Sequence, residues 1–239
     1  MAEEKEMYRV EDKYNCTETQ LVMLQARMDA VLRQDVNEGG PEGYRITSLY
    51  FDDLADSCLR DTVDGVNRRS KYRIRIYNDS LDVIKLEVKT KRDNRILKRS
   101  RTITEAQMER IMRGECIEDG ASAKDPATLF NLAIRTQGLR PKVIVAYERK
   151  AYVYEPGNVR ITFDRNVRAS SRVEDFGKKN ISYDFLREYD KVLEVKYDEF
   201  IPEFLVQLLE TGSMWQMAYS KYQLCRERIM YNLPARENG

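Results

Sequence analysis

The 239-residue chain contains no histidine, which removes imidazole at once as general base, zinc ligand or phosphohistidine carrier. Cysteine is scarce. Cys16, Cys58, Cys116 and Cys225 stand apart with no Cys-x-x-Cys spacing, so neither a zinc ribbon nor a disulfide framework is indicated, and the thiols read as reduced and cytoplasmic. No run approaches the roughly 18 apolar residues of a membrane span, and the N-terminal MAEEKEMYR lacks a signal core. Walker loop, GxGxxG and nucleophile elbow are missing as well. A formal net charge of only +1 argues against an indiscriminate polyanion binder. Chemistry is left to carboxylates, lysines, arginines, hydroxyls and metal held through oxygen.

What the chain does contain is concentrated positive charge. Arg68 through Arg101 carries 13 Lys+Arg against 4 Asp+Glu, a net of +9, so the rest of the chain sums to −8. The pattern within this stretch is alternating. Lys71, Arg73 and Arg75 fall on one face of a predicted strand and Tyr72, Ile74 and Ile76 on the other, because successive side chains point to opposite faces. After a turn at Asn78-Asp79-Ser80, Lys85, Glu87, Lys89 and Lys91 share one face and Ile84, Leu86 and Val88 the other. A third run covers Arg95 to Thr104. Cations spaced about 6 to 7 Å apart on a strand repel by about 2 kcal/mol at an effective dielectric near 20, and by about 0.6 in bulk water. A solvated basic face therefore costs little, whereas a basic cavity calls for an anion.

Elsewhere, Met7 to Tyr14 alternates, with Arg9, Glu11 and Lys13 together. Thr17 and Gln20 form a capping box, followed by an apolar stripe of Leu21, Leu24, Met28, Val31 and Leu32. Gly39-Gly40-Pro41 closes that unit. Tyr44 to Asp53 reads as a strand and Asp56 to Asn67 as a loop. Thr104 with Gln107 opens another helix, and Asp125-Pro126 opens a further one with Leu129, Leu132 and Ala133 inward. Strands are expected at Lys142 to Tyr154, Val159 to Arg168 and Lys191 to Tyr197, with Ser170 to Asn180 a mobile polar loop. Helical segments close the chain, from Pro202 to Leu209 and from about Ser220 to Met230.

LEVK occurs twice, at Leu86 to Lys89 and Leu193 to Lys196, each copy following a strand with alternating arginine. Glu11, Glu87, Asp164 and Glu194 interleave with the cations. Carboxylates repel phosphate unless a hard divalent ion lies between them, so the pattern reads as a metal-polyphosphate site, against the plainer alternative of lysine-glutamate surface pairs.

The segments EDKY, SLYFDD, YRIRIY, KLEVK, YERKAY, VRITFD, LEVKY and SKY, in this order from about Met7 to Arg228, resemble the VTC domain, the polyphosphate polymerase branch of the triphosphate tunnel metalloenzyme (CYTH-like) superfamily. The resemblance implies an α+β fold: an eight-stranded antiparallel β-barrel, basic inside, with helices packed outside. It implies one domain over 7–230, with flexible termini at 1–6 and 231–239. It further implies phosphate binding by Lys13, Arg73, Arg75, Lys89, Arg149, Arg160 and Lys221. Arg73, Arg75, Lys89 and Lys221 would be the catalytic members. Glu194 would hold Mn²⁺ or Mg²⁺, with Glu87 and Glu11 as further carboxylates, and Lys98, Arg99 and Arg101 remain basic residues without an assigned role. The superfamily's ExExK signature is broken here, since Arg9 replaces its first glutamate. The expected partners are a nucleoside triphosphate and inorganic polyphosphate, with no nucleic acid and no membrane span. A tripolyphosphate or nucleoside triphosphate hydrolase, and a noncatalytic polyphosphate or RNA-binding module, stay open beside the polymerase.

Overall fold

The computed structural model describes residues 9–35, 43–93, 95–186, 191–212 and 214–232. The Gly39-Gly40-Pro41 cluster, Met7, Tyr8 and termini 1–6 and 233–239 lie outside them. Eight strands of six or more residues build the fold: β1 (Val10–Asn15), β3 (Tyr44–Asp52), β4 (Arg68–Tyr77), β5 (Ser80–Arg92), β6 (Arg95–Ile103), β7 (Arg140–Tyr154), β8 (Val159–Ser170) and β10 (Val192–Tyr197). Three two-residue strands, β2 (Arg33–Gln34), β9 (Asp184–Phe185) and β11 (Trp215–Gln216), pair with β7, β8 and β1. All pairings are antiparallel, in the order β11-β1-β10-β8-β7-β3-β4-β5-β6. The eight long strands roll into an α+β tunnel fold, as expected, but the expected closed ladder is corrected. Between β1 and β6 no ladder forms among the described residues, and the edge carries an isolated bridge in which the amide of Arg9, just before β1, donates to the Ile96 carbonyl at 3.3 Å. Alongside it the Met217 amide donates to Lys13, so the other half of the seam is filled by the segment after β11.

Alternation decides which residues make core and which make site. Ile74 and Ile76 of β4, with Ile84, Leu86 and Val88 of β5, are buried with Leu49 and Phe51 beneath two helices. These are α3 (Glu105–Met112) and α4 (Pro126–Gln137), capped as expected by Thr104, with Gln107 completing its box, and by Asp125. A second core lies under α1 (Glu18–Val31) and α5 (Glu203–Leu209), where Leu21, Leu24 and Met28 pack on Tyr152, Ile161, Phe163 and Leu193. A third joins α6 (Lys221–Asn232) to Val143, Val145, Tyr147, Val167 and Ala169.

Several expectations on local structure are overturned. The segment read as a loop, 56–67, contains helix α2 (Ser57–Val63), and Asp52 accepts the amides of Cys58 and Leu59 at 2.9 and 3.0 Å. Val31 and Leu132 are exposed, because the apolar stripes of α1 and α4 are narrower than assigned. Within 170–180 a 3-10 turn at Val173–Asp175 brings Phe176 into the first core, so this segment is anchored. Helix α6 runs through Asn232, two residues into the tail expected to be flexible. The four cysteines are free.

Candidate functional site

Every second residue of the rolled strands points into a cavity that runs between two mouths. The narrower has a volume of about 380 Å³ and the wider about 1060 Å³. Glu11, Arg73, Arg75, Lys89, Arg149 and Lys196 line both, so one basic centre is shared by the two ends. Lys13, Glu194 and Lys221 line the narrower end, whereas Arg160 lies at the wider one. Glu87 is not among the residues lining either mouth.

Arg73, Arg75, Lys98 and Arg149 are positioned by carboxylates on neighbouring strands. Glu87 of β5, 1% exposed, accepts from Arg73 Nε at 2.7 Å and from Lys98 at 3.1 Å, with Arg75 at 3.8 Å. Burial, the largest influence on this carboxyl, opposes its ionisation, but Arg73, Arg75 and Lys98 together hold it far below the usual range. The arginines are steadied by hydroxyls as well: Arg73 donates to Tyr50 at 2.9 Å, and Arg75 donates to Ser48 and to Tyr147, both at 3.2 Å. Tyr147 is buried in the third core and also sits beneath Arg149 and Lys221, whose charges lie 5.3 and 4.7 Å from its ring centre.

Beyond β3 on the same side of the roll, the register sets Arg149 of β7 directly across from Asp164 of β8. Their two hydrogen bonds, at 2.6 and 2.7 Å, form a buried fork, and Lys221 reaches the same carboxylate at 2.6 Å. The sequence pattern counted Asp164 among the carboxylates interleaved with the cations but gave it no specific role. Gly43, at φ +83°, lets the chain entering β3 run against this strand, since a Cβ there would collide with the Arg149 carbonyl. Arg160 pairs with Asp35 at 2.6 Å and donates to Tyr44.

Helix α6 crosses the inner face at the narrower mouth. Ser220 caps it by accepting the Gln223 amide, which turns Lys221 toward the cavity. Two acids of the SLYFDD-LAD stretch dock this helix: Asp52 accepts the Tyr222 hydroxyl at 2.6 Å, and Asp56 accepts from Arg226 at 2.8 Å.

The floor between the walls is a charge network around Glu11. Its carboxylate contacts Lys13 at 2.8 Å, Lys89 at 2.9 Å and Lys196 at 3.6 Å. Burial works against its ionisation, yet Lys89, Lys13 and Lys196 hold it well below the usual range. One carboxylate cannot neutralise three ammonium groups. Lys13, also near Glu194, is raised despite its burial, while burial, aided by Lys13 and Lys196 and opposed by Glu11, pushes Lys89 down to about 7. Glu194 pairs with Lys196. Its ionisation is opposed by burial and by Glu11, but Lys196, Lys13 and Arg149 lower it below the usual range. Among the described residues no cluster of three or more His, Cys, Asp or Glu side chains could hold a metal by itself. Glu11 and Glu194 are nevertheless two ionised, hard oxygen donors on paired strands facing one cavity, a set that suits a divalent ion whose remaining positions go to water and phosphate.

Lys71, on the basic face of β4 but outside the expected set, also lines the narrower mouth. It donates to Ser220 at 2.8 Å and lies 5.8 Å from the Tyr222 ring centre. Burial first, then Lys13, Lys89 and Arg69, hold its amine well below the ordinary lysine range. Arg99 and Arg101 do not line either mouth, and Arg101 pairs outside with Asp125 at 3.1 Å.

The family comparison matches a VTC domain over residues 8–230. Comparison with curated protein sequences gives no match. Among solved structures, an adenylyl cyclase-like protein from Hippeastrum, described as having a dominant triphosphatase activity, is similar at 12% identity and a TM-score of 0.54, covering 92% of this chain and 95% of that one. An adenylate cyclase-like protein from Vibrio parahaemolyticus is similar at 12% identity and a TM-score of 0.50, over 92% and 98% of the two chains. At such identities the likeness is one of fold.

Proposed function

Because the chain belongs to the VTC domain family, we propose that it is a polyphosphate polymerase, moving the terminal phosphoryl group of a nucleoside triphosphate onto a growing inorganic polyphosphate. One observation carries this reading: Lys13, Arg73, Arg75, Lys89, Arg149 and Lys221, from four strands and a helix, line one cavity, and Arg73, Arg75, Lys89 and Arg149 also line a second beside it. A linear polyanion can lie along such a passage and lengthen within it.

In the reaction, the bond from the β–γ bridging oxygen to the γ-phosphorus breaks, and a bond to a terminal oxygen of the chain forms, leaving a nucleoside diphosphate. That acceptor oxygen is already anionic, so no general base is needed and the lack of histidine is no obstacle. Phosphoryl transfer asks mainly for alignment and charge neutralisation. Arg73 and Arg75, held by Glu87, and Arg149 and Lys221, held by Asp164, clamp phosphate oxygens as two neighbouring groups. Lys13 and Lys89 do so from the floor, and Arg160 acts at the wider mouth. Glu194 and Glu11 are the residues that would hold Mn²⁺ or Mg²⁺, which when bound supplies further positive charge at the transferring group. Glu87, committed to three cations, serves as a positioning residue. We also assign 7–230 to a single domain.

The test is incubation of purified protein with ATP and Mn²⁺, with products resolved on a gel and free phosphate measured in parallel. Long chains are expected, and Arg73→Ala or Glu194→Gln should abolish them while the fold is retained. Phosphate release without chains would make the protein a hydrolase in the same cavity.

A further inference from the structure

The face of β4 that bears the clamp continues beyond it. Arg75, Arg73, Lys71 and Arg69 recur at two-residue intervals along that face, a row of about 20 Å from the centre to the narrower mouth. Across the ladder, Lys89 stands opposite Lys71, and Lys91 stands opposite Arg69. Compensation falls away along the row. Arg73 and Arg75 share Glu87, and Lys89 has Glu11. Arg69, Lys71 and Lys91 have no ion pair among the described residues: Arg69 donates to the Val66 carbonyl at 2.6 Å, Lys71 to Ser220, and Asp61 acts on Arg69 only through space. Like charges directly opposite one another weaken a sheet, and among the described residues no carboxylate touches this pairing, Asp61 and Glu11 offsetting it through space alone. Three linked phosphates are too short to occupy the clamp and this outer group together, whereas a longer inorganic chain can occupy both.

We propose that Arg69, Lys71 and Lys91 form a distal subsite for inorganic polyphosphate, seating the part of a long chain that lies outside the clamp as it passes the narrower mouth. The inference rests on the proposed function and deepens it, by separating a part of the site that a triphosphate uses from a part that only a long chain reaches.

The experiment compares tripolyphosphate with long-chain inorganic polyphosphate, binding each to wild type, to Arg69→Gln/Lys91→Gln and to Arg68→Gln/Arg92→Gln. The last pair removes the same charge from exposed residues outside the cavity lining, one register step away on the same ribbon. Loss of two charge-assisted contacts in the first variant should weaken long-chain binding by about tenfold or more and flatten its salt dependence by about one unit of slope. Tripolyphosphate affinity should stay within about twofold, and the control pair should bind both ligands like wild type. Equal losses for both ligands, equal losses in both variants, or unchanged long-chain binding would each overturn the subsite. If Arg73→Ala abolishes tripolyphosphate binding, the reading of the clamp survives such a result; if wild type binds neither ligand, the proposed function and the subsite fail together.

Discussion

Replacing Lys71 by methionine should make the unliganded protein more stable. The amine sits at the narrower mouth near Lys13, Lys89 and Arg69. At spacings of about 6 to 7 Å each repulsion amounts to about 2 kcal/mol at a dielectric near 20 and about 0.6 in water. The mouth is open to solvent, so about 1 kcal/mol per neighbour is a fair figure, and three neighbours give about 3. Against this stands the hydrogen bond to Ser220, worth about 1 kcal/mol, while methionine keeps most of the apolar stem. The net is a gain of about 2 kcal/mol, or about 4 to 8 °C in a domain of this size. The sign with pH follows from the lowered amine. Between its folded pKa and the unfolded value of 10.5, the unfolded chain binds more protons, so wild-type stability rises with pH through that window. The advantage of the variant is therefore full below the folded pKa and disappears as pH approaches 10.5. Urea unfolding of both proteins between pH 6 and 10 measures it. A variant less stable than wild type, or one whose advantage is flat across that range, would refute the charge argument.

Other perturbations separate positioning from binding. Asp164→Asn breaks the buried fork with Arg149 and the contact with Lys221, and should cost about 3 to 5 kcal/mol; tripolyphosphate should raise the melting temperature of this variant more than that of wild type, because its oxygens replace the missing carboxylate. Tyr222→Phe removes the hydroxyl donated to Asp52, costing about 1.5 to 3 kcal/mol by urea midpoint at unchanged slope, and should slow turnover by loosening the helix that carries Lys221. Chelation of divalent ions should stop chain synthesis yet leave tripolyphosphate binding measurable by calorimetry, since the clamp cations outnumber Glu11 and Glu194.

Period-two alternation made the strand faces legible. Ile74, Ile76, Leu86 and Val88 had to face a core once Arg73, Arg75 and Lys89 faced the other way, and the helix starts at Thr17, Thr104 and Asp125 announced themselves by capping chemistry. Helix α2 was illegible for a physical reason. Asp56 precedes it in a left-handed conformation without a side-chain cap, and the amides at its start are satisfied by Asp52, a residue of the preceding strand. The role of Asp164 was hidden similarly, because only the register of β7 on β8 brings Arg149 across from it. By local pattern Lys221 looked like any lysine on a solvated helix, and only the resemblance of its SKY segment singled it out. Its place in the cavity depends on α6 packing against Val143, Val145 and Tyr147, a tertiary fact that no local pattern encodes. The surplus of cations over carboxylates at the narrower mouth was present in the counts, but which of them lacked partners depended on pairings between strands far apart in the chain.

The distribution of charge follows from the same geometry. A chain of net charge +1 has little long-range pull on polyanions, so attraction must be local, and a rolled sheet supplies it by turning alternate residues of its basic ribbon inward while the rest of the chain carries a compensating negative sum. Carboxylates within the wall then set how much charge is left to offer: Glu87 and Asp164 each fix two or three cations in place and reduce their net charge, which favours geometry over raw attraction at the point of phosphoryl transfer. Toward the narrower mouth the balance reverses: Lys71 and Arg69 donate only to the uncharged Ser220 hydroxyl and Val66 carbonyl, and neither they nor Lys91 form an ion pair among the described residues. Rigid, nearly compensated pairs suit a centre that must hold one geometry, and uncompensated, half-solvated cations suit a passage along which a chain must slide. In the proposed polymerase, a gradient of compensation along one strand would therefore separate clamping from conduction.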